Sequence, residues 1–303
     1  MDIQLLPFAQ ERGREVEDIS RAIFPEYHDG SVKWKAGWQL DDPAAATAAY
    51  VAVEPNGDRA VGYAAIRPRD GARYRLNLMV RPDWQERGIG RALFDRIGED
   101  LDRLEALAVK IRVRADMLAG LEFVRQRDFA EVHRMRGMAL EVGYADLSTL
   151  HERKERIAAQ GIAISTLATE RRDDPDCMAK LHALHNSALP TWPNPDPTRP
   201  LEALTREEFL DYIEAMLDNP EACFVAELKG RYVGYGGIGT AVHPQFRGLG
   251  LATLLKMRYI ELARRNDLKT LYSQSANPAI IAINKKLGYR TERVEVRFVK
   301  RMK

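Results

Sequence analysis

The chain lacks most of what would place it in a special class. It has two cysteines in 303 residues, Cys177 and Cys223, which offer neither a disulfide framework nor metal-ligand spacing and read as ordinary reduced side chains. Its six histidines are scattered, and His182 and His185, three apart, have no partner cluster, so no metal is expected. No run approaches the roughly 18 apolar residues of a membrane helix. The opening MDIQLLPFAQER has no signal-peptide pattern. A cytoplasmic protein without membrane contact is the expectation. Charge of one sign is missing too: 46 basic residues stand against 44 acidic ones, a net charge of +2, so no general pull towards nucleic acid follows.

What is present is the composition of a soluble globular protein, 45% hydrophobic and 30% charged, in a chain longer than one core usually organises. Two domains are expected. The organising stretch is Val242-His-Pro-Gln-Phe-Arg-Gly-Leu-Gly-Leu-Ala252, followed by an apolar helix from Thr253. It reads as a strand end, a glycine turn and a helix start. Gly248 and Gly250 permit a backbone that a Cβ would forbid. The amides left open at a helix N-terminus, with its positive dipole end, suit a pyrophosphate, and Arg247 can add a charged donor. The same device stands earlier as Val80-Arg-Pro-Asp-Trp-Gln-Glu-Arg-Gly-Ile-Gly90, where Gln85 aligns with Arg247, Gly88 with Gly250 and Gly90 with Ala252.

Two copies of [Gln/Arg]-x-x-Gly-x-[Gly/Ala], each after Val-x-Pro, resemble the acyl-CoA-binding motif of the GCN5-related N-acetyltransferase (GNAT) superfamily. The segment Asn277-Pro-Ala-Ile-Ile-Ala-Ile-Asn284 before Leu287-Gly-Tyr289 is similar to the C-terminal domain of mycothiol synthase-type tandem GNAT proteins. The resemblance implies an α/β fold, two tandem GNAT domains each with a mixed sheet, and acetyl-CoA as co-substrate without a metal. It implies a pyrophosphate on the amides of Arg247, Gly248, Leu249, Gly250, Leu251 and Ala252, and of Gln85, Glu86, Arg87, Gly88, Ile89 and Gly90 if the first copy also binds. The pantetheine arm would pair with the backbone of Thr240, Ala241 and Val242, or of Leu78, Met79 and Val80. The Val242 amide would polarise the thioester, and Asn277 would meet the pantetheine.

Many members carry a tyrosine general acid where this chain has Asn284. The equivalents in the first half are the apolar Met117 and Val124. The second domain is therefore expected to be the catalyst, with Val242 and Asn284 as its catalytic residues, and the first a degenerate copy. Tyr235 and Tyr272 are further candidate proton donors. Glu207, Glu208 and His243 are weak candidates for the base; Glu208 also completes a capping box with Thr205, and His243 is expected to face solvent.

Periodicity gives the order β, α, α, β, β, β, α, β, α, β for the first half, with a short helix around Trp34 and Trp38. The domains are expected at 1–144 and 161–303, joined by a helical connector at 145–160. Val-Gly-Tyr recurs at 61–63 and 233–235, but 19 positions separate Tyr63 from Pro82 and only 9 separate Tyr235 from Pro244. Either this hairpin is truncated, or residues of a mobile loop are absent near Gly237-Ile238. The second alternative is favoured, because Ile238 to Val242 then forms a strand of ordinary length. The expected function is acetyl transfer to a small-molecule amine by a monomer or homodimer. The alternative is a catalytically silent acyl-CoA-binding sensor or scaffold.

Overall fold

The computed structural model describes residues 3–28, 46–55, 59–69, 71–194, 197–198, 200–237 and 239–302. The helix expected around Trp34 and Trp38 lies outside them. Two compact units emerge: Met1–Val132 with Val296–Lys303, and His133–Glu295.

In the first unit, β1 (Gln4–Pro7) leads to α1 (Gly13–Ile23), then to β2 (Ala48–Val53), β3 (Ala60–Pro68) and β4 (Arg73–Val80). Then come α2 (Ile89–Arg103), β5 (Ala108–Arg114), α3 (Leu118–Arg125) and the start of β6 (Ala130–Glu141). Strands β1 to β4 pair antiparallel in sequence order, and β5 joins β4 in parallel. One face of this sheet is covered by α2, whose Ile89, Leu93, Ile97 and Leu101 recur every fourth residue and are buried against Leu76, Val109 and Ile111. The other face takes α1 through Val16 and Ile19, packed on Val51, Val53, Tyr63 and Ala65. Burying each such aliphatic side chain contributes about 1.5–3 kcal/mol.

The second unit continues β6 and adds α4 (Leu150–Ala158), β7 (Ala163–Thr166), α5 (Leu167–Asp173), α6 (Cys177–Ala188), α7 (Arg206–Tyr212) and α8 (Glu214–Asp218). It is completed by β8 (Phe224–Leu228), β9 (Arg231–Gly236), β10 (Ala241–Val242), α9 (Leu251–Arg265), β11 (Thr270–Ser275), α10 (Pro278–Lys286) and the first part of β12 (Arg290–Arg301). Strands β7 to β10 form an antiparallel sheet, with α9 packed through Leu251, Leu254 and Leu255 and α6 through Leu181 and Leu184. Thr205 and Glu208 form the expected capping box at α7.

Sequence order alone suggests a cut at 144, but packing draws the boundary differently. From Arg136 onward β6 pairs with β11, both in the second unit. Residues 296–303 lie with the first, where Val296 and Phe298 enter the core and the Met302 amide donates to Leu107 O. The two halves of the chain thus exchange their last strands.

Strands β9 and β10 pair over two residues. Tyr235 pairs with Ala241 and Gly234 with Val242, so β10 has two residues rather than the five expected for Ile238 to Val242. The strand expected over Ile238 to Val242 is thus corrected to Ala241–Val242. Gly237 makes the turn possible: its φ is +128°, and a Cβ there would lie 2.0 Å from Ala222 O.

Candidate functional site

The two glycine turns are built alike, bond for bond. Each strand end is held by a backbone bond to the Val-Gly-Tyr strand, Arg81 N to Val61 O at 2.9 Å and His243 N to Val233 O at 3.0 Å. A single 3₁₀ turn follows, Pro82–Trp84 or Pro244–Phe246. Gln85 Nε2 then donates back to Val80 O at 3.0 Å, and Arg247 Nε to Val242 O at 3.3 Å. The glutamine of one copy and the arginine of the other thus reach the equivalent carbonyl. Arg247, expected at a pyrophosphate, is instead committed to its own turn and to Thr191 Oγ1 at 2.6 Å. Both turns take positive φ at the same two places, Glu86 and Gly88 in one, Gly248 and Gly250 in the other. The N-caps Gly88 and Gly250 have φ of 81° and 86°.

The repeated Val-Gly-Tyr also acquires a cause. A Cβ on Gly62 would meet Ile89 and Leu93 at 2.9 Å, and one on Gly234 would meet Leu251 at 3.0 Å. These glycines let the helix after each turn settle onto the strand. Ile89 and Leu251, named for their amides, bury their side chains there.

The surroundings of the two turns differ. Beside the first lies a cavity of about 770 Å³, within the usual range of ligand pockets, roughly 300–1,000 Å³. Strands β4 and β5 pair only from Arg73/Ala108 to Arg75/Lys110 and then part. The cavity is lined by residues 76–80 and 111–113 of the two parting strands, together with Gly88, Gly90, Phe123, Ile23 and Phe24. Leu78, Met79 and Val80 therefore offer an unpaired strand edge to a ligand. A Cβ on Gly88 would meet nothing within 4 Å, so the turn opens onto free space. Arg87 lies against Trp84, its guanidinium 4.8 Å from the ring centroid.

At the second turn two arginine side chains reach into the matching space. A Cβ on Gly250 would lie 2.9 Å from Arg156 Nη2 and 3.2 Å from Arg153 Nη1. Both arginines come from α4, which Leu150 and Ile157 fix in the core of this unit and Lys154 ties to Glu261 of α9 at 3.3 Å. Ala241 and Val242 are both buried, and Thr240 Oγ1 is buried without a partner among the described residues.

The other candidates are placed as follows. Asn284 is fully buried, its Nδ2 donating to Ser273 Oγ at 2.8 Å. Asn277 caps α10, accepting from the Ala279 amide at 2.9 Å. His243, expected to face solvent, is buried: its Nδ1 accepts from the Gln245 amide and its Nε2 lies 2.6 Å from Arg231 Nη2. Met117 and Val124 line the first unit's cavity. Tyr272 is exposed, whereas Tyr235 is fully buried with its hydroxyl 2.9 Å from His185 Nδ1.

His185 is enclosed by Trp192, Phe209 and Tyr212 at centroid distances of 4.7–5.2 Å. Burial, followed by the charge of His182, pushes its pKa down to about 4. The unfolded chain binds a proton at this site below about pH 6.5, whereas the folded chain does so only below about 4. Stability contributed by neutral His185 is therefore complete above pH 6.5 and lost as pH falls towards 4, by up to about 3 kcal/mol. Urea unfolding at pH 7.5 and 4.5 is expected to show this acid loss in the wild type. His185→Phe is expected to reduce it; an unchanged pH dependence would remove His185 as its source.

Among the described residues no group of three or more His, Cys, Asp or Glu is arranged to hold a metal ion, and no helix is long and apolar enough to cross a membrane. Residues 45–131 match the model of the acetyltransferase (GNAT) domain and residues 181–289 that of the acetyltransferase (GNAT) family. Among solved structures, the chain is similar to a GCN5-related N-acetyltransferase from Sphaerobacter thermophilus, at 17% identity over 99% of this chain and 95% of that one, with a TM-score of 0.69. It is also similar to a tandem GNAT protein from the clavulanic acid biosynthesis pathway, at 18% identity over 99% and 98%, with a TM-score of 0.60. A third likeness is to the GCN5-related glucosamine N-acetyltransferase region of a fungal multi-domain β-N-acetylglucosaminidase. There the identity is 14% over 98% of this chain and 38% of that one, and the TM-score is 0.68. At these identities the structural likenesses establish the fold.

Proposed function

Because this chain belongs to the GNAT acetyltransferases, with two such domains in one polypeptide, we propose that it transfers an acetyl group from acetyl-CoA to a small-molecule amine. We place the working site in the first unit. The observation that carries this is the contrast between two turns of one construction: the first opens onto a cavity of about 770 Å³, whereas two arginine side chains reach the second. The diphosphate would lie on the amides of residues 86–90 at the N-terminus of α2. The pantetheine arm would run along the free edge of β4 at Leu78 to Val80. The backbone there would supply the donor that polarises the thioester carbonyl.

In the reaction the amine forms a C–N bond to the acetyl carbon and the C–S bond breaks. The amine loses a proton and the leaving thiolate gains one. Calorimetric titration with acetyl-CoA tests the reading directly: one equivalent is expected, and no binding would sink it.

One observation favours the second reading, a silent acyl-CoA-binding protein. Position 124 on α3, which matches the family's tyrosine acid, is a buried valine, and position 117 is methionine. Solvent or a group on the acceptor would have to supply the proton. Release of free CoA thiol upon adding amines separates the two readings. Turnover supports transfer, while tight binding without thiol release across a broad amine panel establishes the silent alternative.

A further inference from the structure

We propose that the acyl group for which the first unit's cleft is built is longer than acetyl, a saturated chain of medium length such as hexanoyl. This rests on reading that cleft as the acyl-transfer site and names the class of donor it prefers. Strands β4 and β5 pair for the last time at Arg75 and Lys110. The next residue on each strand, Leu76 and Ile111, lines the cavity, and so does Val113. Helix α3 adds Val124, and its N-cap adds Met117.

Leu76, Ile111, Val113 and Val124 are buried members of the hydrophobic core, and Met117 packs against it. Gln85, Glu86 and Gly88 of the glycine turn line the same cavity but are exposed. One cavity is thus walled by exposed residues at the turn and by core hydrocarbon where the strands part. The polar side chains among the latter, Asn77 and Arg112, have partners of their own in the fold. With the diphosphate on the turn and the pantetheine along Leu78 to Val80, the acyl chain would continue towards Leu76. That residue lies two positions, roughly 7 Å, beyond Leu78 on β4.

The internal repeat sharpens the point. The second half has Asn277 and Asn284 where the first has Met117 and Val124. The first copy therefore places hydrocarbon, at two positions that line its cavity, where its sister places amides. An apolar wall holds water poorly and takes an apolar guest instead. Acetyl offers this wall a single methyl group. Each further methylene buried against it raises affinity by a factor of about three to four. The bond changes are those given above: the amine nitrogen joins the acyl carbon, the C–S bond breaks, and a proton passes from the amine to the thiolate. Only the chain on the carbonyl differs.

The test is calorimetric titration with acetyl-, butyryl-, hexanoyl- and octanoyl-CoA. For the wild type, affinity is expected to rise from acetyl to hexanoyl, by about thirtyfold or more in all. Val124→Phe, which puts a ring into the cavity, is expected to cut that hexanoyl-to-acetyl ratio about tenfold. Met117→Asn, which places the second half's amide there, is expected to cut it about threefold or more. Thermal unfolding shows whether each variant is folded. An affinity that is flat or falls with chain length overturns the inference, whatever the variants do. So does hexanoyl-CoA binding that Gly88→Trp fails to weaken, because the donor then sits outside the cleft. Folded variants that both keep the wild-type ratio overturn it as well. If the wild type binds acetyl-CoA and no longer donor more tightly, the acetyl-transfer reading stands and only this inference falls. If it binds none of the four, that reading falls first and takes this inference with it.

Discussion

Gly88→Trp is expected to lower acetyl-CoA affinity by about a hundredfold or more, roughly 2.7 kcal/mol, whereas Gly250→Trp leaves it within about threefold. The comparison controls itself, because both glycines are left-handed N-caps and a tryptophan pays a similar backbone strain at each, about 1–2 kcal/mol. What differs is where the side chain goes. At 88 it enters the open space beside the cavity that the diphosphate would use. At 250 it meets the guanidinium ends of Arg153 and Arg156. Calorimetry gives affinity and stoichiometry, and thermal unfolding shows that each variant is folded. If Gly250→Trp abolishes binding and Gly88→Trp does not, the working turn is the second one, as the motif alone suggested.

Gly237→Ala is expected to destabilise the second unit by about 3 kcal/mol or more, lowering its melting temperature by roughly 6–12 °C. Its new methyl group would collide with Ala222 O, Ala222 C and Cys223 Cα, all backbone atoms, at 2.0, 3.1 and 3.2 Å. A φ of +128° adds strain that no side-chain rotation relieves. Gly230→Ala is the reference: it also has positive φ, but nothing lies within 4 Å, so only about 1 kcal/mol is expected. Equal stability of the two variants would mean that the hairpin does not press against residues 222–223.

What could be read from the chain was what its own neighbours determine. Each glycine turn lies within one short stretch, so the strand end, the glycine turn and the helix start were all legible. The same holds for the Thr205–Glu208 cap, for β11 at Thr270–Ser275, and for α10 between Asn277 and Gly288. What escaped depends on residues far apart. Arg153 and Arg156 read as part of a charged connector, and only the docking of α4 on α9 brings them to Gly250. Tyr235 looked like a candidate acid until His185, fifty residues away, closed over its hydroxyl. Arg247 looked like a ligand donor because the carbonyl it satisfies, that of Val242, is invisible until the turn bends back.

The exchanged strands carry a consequence for synthesis. The first unit contains residues 296–303, with Val296 and Phe298 among its core side chains. As the chain leaves the ribosome, residues 1–132 emerge early, but the sheet that bears the first turn and its cavity waits for residues made more than 160 positions later. Until then the edge of β5 beside Leu107 has no neighbour from that segment. The half of the molecule translated first thus waits for the end of the chain, and a chain released early would carry both glycine turns with the first unit's sheet unfinished.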